Sequence, residues 1–241
     1  MSVKNILFLA ASTIKLLIFI IIFSYNSKAE ESNIKRYSSD QGILSLMYHR
    51  FDEVKYPSTN IEMNIFKEQI KIIRDLNYNF YDPGKLENNF NIERKEKKIL
   101  ITIDDGFSSF YEKAWPYLKM EQIPFILFIS TEAVGKNGYM TWDQIKKIEK
   151  YPNAYIGNHS HSHEYLVNFK KKEFLKDIIT ANNIFKKELG YNPIFFSYPF
   201  GEYSLEQQKY ISSKFDFAFG QHSGLIDINK NKYELARFPI N

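Results

Sequence analysis

The chain has 241 residues, no cysteine and a net charge of +4, from 32 Lys and Arg against 28 Asp and Glu. Without thiols there is no disulfide framework, thiolate metal site or cysteine nucleophile, so any metal must be held by His, Asp or Glu. The charges are interspersed rather than gathered into Lys/Arg blocks, which describes a solvated surface and argues against a nucleic-acid partner.

The first 29 residues stand apart. Lys4 is followed by the apolar stretches "ILFLAASTI" and "LLIFIIIF", broken by Lys15, and then by small residues in "NSKAEE". This is the pattern of a signal peptide cleaved after Ala29, or of an N-terminal anchor attached to a membrane. Either reading exports the protein: to the periplasm, to the medium, or to the outer face of the cytoplasmic membrane. Residues 30–41, "EESNIKRYSSDQ", read as a flexible polar tether. The remainder, 42–241, reads as one domain.

From Gly42 the apolar pattern alternates between strand and helix. "ILSLMY" (43–48) is a strand. Asn64 is placed to cap a helix over "IFKEQIKIIRDL", whose apolar residues 65, 66, 70, 73 and 76 recur with helical spacing. "NFYD" follows, then "ILITI" (99–103), a short β-branched run expected of a strand covered on both faces. Ser108 or Ser109 caps a helix through "YEKAWPYLKM", which Pro116 should kink or shorten. "FILFIS" (125–130) is a further buried strand. "TWDQ" (141–144) has the form of a capping box opening a short helix, with Trp142 near its start as a candidate rim platform for a ligand. Next come strand "AYIGN" (154–158), a long helix over 171–189 stopped by Gly190, strand "IFFSY", helix "LEQQKYISSKF", strand "FAFG" and a last strand "LARFPI" (235–240). Alternating helices and buried strands predict a parallel α/β fold. Periodicity does not choose between an open sheet and a barrel.

The chemically distinctive residues fall at the C-terminal ends of these strands, where α/β folds build their sites. His49 follows "ILSLMY". Asp104 and Asp105 follow "ILITI". His159, His161 and His163 follow "AYIGN". Tyr198, Pro199 and Gly201 follow "IFFS", and His222 follows "FAFG". All five histidines of the chain are in this set. In "NHSHSH", His159 and His163 share a face on a helical turn, and all three histidines share one on an extended strand. Either way His159 and His163 can converge on one ion, and imidazole is a common zinc ligand. A divalent ion also accounts for the adjacent aspartates: one can ligate it while the other serves as a general base. Neighbouring strand residues point to opposite faces, so both reach one site only if the chain turns at "DDG", which Gly106 permits. A plain strand-to-helix loop with Asp105 or Ser108 as its cap is the ordinary alternative.

Taken together, "TIDDG", "HSHSH" and "SYPFG", in that order, resemble the leading motifs of the polysaccharide deacetylases, carbohydrate esterases with a NodB homology domain. "LMYHRF" resembles the subgroup, including the poly-N-acetylglucosamine deacetylases, in which a catalytic His precedes the Asp–Asp motif. The resemblance covers about residues 43–240. It implies a distorted (β/α) barrel of about seven strands and a metal-dependent hydrolase, with Zn2+ the default ion, that removes N-acetyl groups from an acetylated polysaccharide. By motif position, Asp104 is the base and Asp105, His159 and His163 are the metal ligands. Water on the metal attacks the acetamide carbonyl. The metal and a backbone N–H in the Tyr198, Pro199, Gly201 stretch hold the oxyanion, and a protonated His gives its proton to the leaving amine. His49 is the better acid, because it directly ends a buried strand; His222, between glycines in "GQHSGL", is its competitor. The chain departs from the family in two places. Ser197 stands where many members have the Arg that orients the base, with Arg237 on the last strand the candidate substitute. The Asp–Trp pair of the usual fourth motif is not recognisable in "FDFAFGQHSG", where Phe217 or Phe219 are the aromatic candidates. Two other functions are compatible with parts of this pattern: a non-catalytic glycan-binding or assembly protein on the same fold, and a metal-free glycosidase with two carboxylates.

Overall fold

The computed structural model describes residues 42–86, 97–227 and 231–241. The leader or anchor expected at 1–29 and the tether at 30–41 lie outside the described residues.

The fold is α/β, with one curled sheet wrapped by helices. Its main path runs through seven strands: Leu225–Ile226 (β10), Ile43–Tyr48 (β1), Lys98–Ile103 (β5), Phe125–Ile129 (β6), Ala154–Asn158 (β7), Phe195–Ser197 (β8) and Phe217–Phe219 (β9), paired in that order. From β1 to β9 all pairings are parallel. Asn79–Phe80 (β4) adds to β5, and a small separate pair joins Arg50–Phe51 (β2) to Asn60–Ile61 (β3). The C-terminal segment links the two sides of the curl. Leu235 bridges to Phe219 of β9, and Phe238–Pro239 (β11) runs parallel to β1. The expected last strand is therefore two short contacts with Arg237 between them.

The two-residue period of the strands divides the core. Leu46, Tyr48, Ile99, Ile101, Ile103, Phe125, Leu127, Ile129 and Ile156 face outward, packing with Phe66, Ile70, Leu118, Ile145 and Ile148 of the helices. Ile43, Leu100, Ile126, Phe128, Phe195, Phe217 and Phe219 fill the interior. Burying each of these phenylalanines contributes about 1.5–3 kcal/mol. Carried one step past the strands, the inward alternation of β1, β5 and β7 arrives at His49, Asp104 and His159. Gly157 belongs to this inner row, and a Cβ there would lie 2.3 Å from Phe128 Cδ1, so the barrel interior closes only over a glycine.

Among the described residues the α-helices are Met63–Asp75 (α1), Trp115–Met120 (α2), Trp142–Glu149 (α3), Lys171–Leu189 (α4) and Leu205–Ile211 (α5). The Thr141–Gln144 capping box and the left-handed Gly190 stop are as the sequence predicts. Pro116 stands in the first turn of α2, and a π-helical turn over Phe110–Ala114 precedes it, so the expected helix is divided. Asn64 is not the cap of α1. It lies inside the helix, and Asp52 Oδ1 accepts from Met63 N–H at 2.8 Å in its place.

Candidate active site

Asp104 and Asp105 reach the same site because the strand does not continue. Asp105 has φ 73° and Gly106 φ 76°, both left-handed, so the chain turns at once and the two carboxylates are no longer on opposite faces. At Gly106 a Cβ would also lie 2.8 Å from Ile129 Cδ1.

Asp104 is fully buried and so is Arg237. Arg237 grips it with both arms of the guanidinium, Nη1 to Oδ1 at 2.7 Å and Nη2 to Oδ2 at 2.8 Å. The Arg237 head is itself fixed: Nε donates to the Gly220 carbonyl, Nη1 to Thr102 Oγ1 and Nη2 to Ser197 Oγ. Its charge lies between the rings of Phe128 and Phe219, 5.4 and 5.9 Å from their centroids. Ser197 adds a 3.3 Å hydrogen bond to Asp104 Oδ2. Burial alone would raise the Asp104 pKa, but the charges of Arg237 and His159 and the Arg237 hydrogen bonds outweigh it and hold the group below its ordinary value. Asp104 is therefore an oriented, ionised carboxylate.

Asp105, His159 and His163 converge: one ligand-type atom from each lies within 4.8 Å of the others. Asp105 Oδ1 is 3.4 Å from His159 Nε2 and 2.9 Å from His163 Nε2. Yet Asp105 Oδ1 and His159 Nε2 are buried and make no directed hydrogen bond. Buried polar atoms without partners are costly. Two facing imidazole nitrogens and a carboxylate oxygen form a donor set that fits a divalent ion and would satisfy these atoms. His159 is oriented by its other nitrogen, Nδ1, which lies 2.7 Å from the Ser197 carbonyl. This is the kind of partner that fixes the tautomer of a ligating imidazole. Burial opposes charge on both Asp105 and His163. The approach of His159 and His163 outweighs it at Asp105, whose pKa is held well below its usual value, and the approach of Asp105 raises that of His163.

The loop that carries the histidines is neither of the regular forms considered for it. Ser160 and His163 have left-handed φ of 68° and 56°. His161 turns aside to Thr131, Nδ1 to Oγ1 at 2.9 Å.

His49 belongs to this group. Its ionisation responds to Asp104, Asp105, Arg237 and His159, and its Nδ1 is buried without a hydrogen bond. Burial lowers its pKa, while the two aspartates pull the other way. His222 is exposed, and only its backbone carbonyl takes part, accepting from Arg237 N–H at 3.0 Å.

The oxyanion donor is expected from a backbone N–H in the Tyr198, Pro199, Gly201 stretch, whose N–H groups are differently engaged. The N–H of Tyr198 is used by the Phe219 carbonyl and that of Gly201 by the Tyr198 carbonyl, while proline has none. The Tyr198 side chain is buried against Phe196 and Tyr203. Among the described residues the N–H of Phe200 has no backbone acceptor outside its own turn. Phe200 has a left-handed φ of 58°, and its ring is 4.9 Å from that of His163. Trp142, the candidate rim platform, is half-buried. It packs edge-on against Phe185 between helices. The aromatic rims are elsewhere: Phe200 stacked on Tyr165 at 3.9 Å, and Phe107 with Tyr139 at 4.9 Å. A cavity of about 440 Å³ opens here, lined by Asp105 and His163 as well as Phe107, Tyr139, Glu132 and Lys136. Phe217 and Phe219 are core, although Phe219 also walls Arg237. None of the four rim residues, Phe200, Tyr165, Phe107 and Tyr139, is among the site residues expected from the sequence.

Comparison with known proteins assigns the class. The profile of the family described as polysaccharide deacetylase matches residues 91–217, just over half of the chain, and the chain belongs to that family. The poly-beta-1,6-N-acetyl-D-glucosamine N-deacetylase of Staphylococcus aureus (strain MSSA476) is 21% identical, covering 88% of this chain and 83% of its own. YxkH of Bacillus subtilis (strain 168), whose name places it provisionally among polysaccharide deacetylases, is 25% identical over 81% of this chain and 70% of its own. Among solved structures, IcaB from Ammonifex degensii superposes with a TM-score of 0.76 at 24% identity, covering 83% of this chain and 92% of that one. This likeness establishes the fold.

Proposed function

We propose that the protein is an exported, metal-dependent N-deacetylase of an amino-sugar polysaccharide, with residues 42–241 as its catalytic domain. The observation that carries this reading is the pairing of two sites at one sheet edge: an Arg-gripped Asp104 beside the Asp105–His159–His163 donor set. A divalent ion held there, zinc by its donor chemistry, would polarise the acetamide carbonyl and make a water molecule acidic enough to attack it.

The chain's own residues do the rest. Asp104 takes the proton of the attacking water. Arg237 keeps one acceptor position on each carboxylate oxygen occupied and so fixes which remain open. The N–H of Phe200 donates to the carbonyl oxygen as it gains charge. His49 gives its proton to the amine nitrogen as the C–N bond breaks, because an amide nitrogen departs poorly as an anion. Burial opposes charge on His49 while Asp104 and Asp105 favour it, and the role requires that it carry a proton when the C–N bond breaks. The Phe200–Tyr165 and Phe107–Tyr139 rims offer faces on which sugar rings can stack. The named activity of the Staphylococcus relative supports a poly-N-acetylglucosamine substrate.

The test is acetate release from a panel of acetylated glycans, with and without chelator. Release from β-1,6-linked N-acetylglucosamine oligomers that stops on chelation and returns with zinc is expected. Release unaffected by chelator would overturn the metal reading. Chain cleavage without acetate would point to the glycosidase, and binding without turnover to a glycan-binding protein.

A further inference from the structure

Asp177 lies in the seventh position of α4, and its side chain enters none of the chemistry above. It is 6% exposed. Its two carboxylate oxygens accept from successive backbone N–H groups, Oδ1 from His161 at 2.8 Å and Oδ2 from Ser162 at 2.9 Å. Among the described residues it has no cationic partner. A buried carboxylate is costly unless hydrogen-bonded, and here both bonds come from the short loop that joins His159 to His163.

That loop needs a restraint. Ser160 and His163 are both non-glycine residues at positive φ, a conformation that persists only when its surroundings over-determine it. Two smaller ties help: Asn158 Oδ1 accepts from Ser160 N–H, and Ser160 Oγ accepts from His163 N–H. Both are local to the loop. The Ser160 and His161 carbonyls and the His161 ring also meet Thr131 and Glu132 beyond β6, while Asp177 ties the loop's N–H groups to Lys171–Leu189, a long helix anchored in the core by Phe174, Ile178 and Phe185.

We infer that Asp177 is a positioning residue for the metal site: it holds the His161–Ser162 backbone so that His163 faces Asp105 and His159. The inference rests on the metal reading proposed above. Loss of an outer partner of this kind typically costs about 10–100-fold in metal affinity.

The experiment is zinc titration of the metal-free full chain by competition with a chromophoric chelator, alongside its melting temperature. Asp177→Asn is nearly isosteric, but its amide has one acceptor oxygen and turns an N–H2 toward the second backbone N–H. It should weaken zinc binding about 10–100-fold. Ile178→Val, its neighbour on the same helix, should lower the melting temperature and leave zinc affinity unchanged. Wild-type affinity in Asp177→Asn, or an equal loss in Ile178→Val, overturns the inference while leaving the metal site standing. A wild-type chain that takes up no zinc overturns the metal reading and this inference with it. Should Asp177→Asn not fold, hydrogen exchange of the wild-type chain decides: slow amides at His161 and Ser162 support the anchor, and exchange at the rate of an open loop refutes it.

Discussion

Arg237 and Asp104 form a buried pair whose partners leave little freedom. Removing one member of such a pair strands a charge in the interior and costs about 3–5 kcal/mol. Arg237→Ala should therefore destabilise the fold by about that amount in urea unfolding, whereas an exposed surface arginine would cost almost nothing. His49 makes a different prediction. His49→Ala should retain zinc and lose most hydrolysis of an unactivated acetamide, while sparing an acetyl ester with a good leaving group, whose departure needs less protonation. Equal losses on both substrates would remove the acid role, and the same selective pattern in His222→Ala would transfer it. At this scale the sequence was informative where chemistry is rare in composition. With no cysteine and five histidines, the candidate ligands were few. Phe200 was hidden because the role proposed for it rests on a backbone N–H at a left-handed φ, and nothing in the identity of a phenylalanine announces that. Arg237 was legible only as the candidate left once Ser197 stood where an arginine was expected.

At the scale of elements, the strand ends were readable and the loops between them were not. Short apolar runs marked β1, β5, β6 and β7, and the inward alternation of β1, β5 and β7 leads directly to His49, Asp104 and His159. The HSHSH loop could be enumerated as helical or extended, yet it is held in neither form: Asn158 ties it locally and Asp177, which only tertiary contact brings to it, holds the His161 and Ser162 N–H groups. The Asn64 cap failed for the same reason: Asp52 supplies the acceptor from a preceding turn. β10 escaped notice because two residues carry no period. The loop's conformation makes one separable prediction. His161 points to Thr131 and not to the donor set, so His161→Ala should bind zinc with nearly wild-type stoichiometry. Stoichiometric loss of zinc in that variant would put His161 among the ligands.

Across the whole molecule, the curl of the sheet brings together residues separated by almost the full described chain, from His49 to Arg237. The C-terminal segment bridges β9 and runs beside β1, and this places the Arg237 guanidinium over Asp104 at the end of β5. Alternating strands and helices were enough to predict an α/β fold, and the motif resemblance indicated a barrel; how the last segment bridges β9 and β1 was not readable, because it depends on contacts of one or two residues. In the function proposed, this geometry puts a base and a metal site side by side while keeping their duties separate. The most direct measurement is zinc content and acetate release, determined on the same preparations of wild type, Asp104→Asn and Asp105→Ala. Asp104→Asn should keep its zinc and lose turnover by about 10²–10⁴-fold, the usual worth of a general base, and Asp105→Ala should lose both zinc and turnover. Wild-type turnover in Asp104→Asn, or full zinc in Asp105→Ala, would contradict the account.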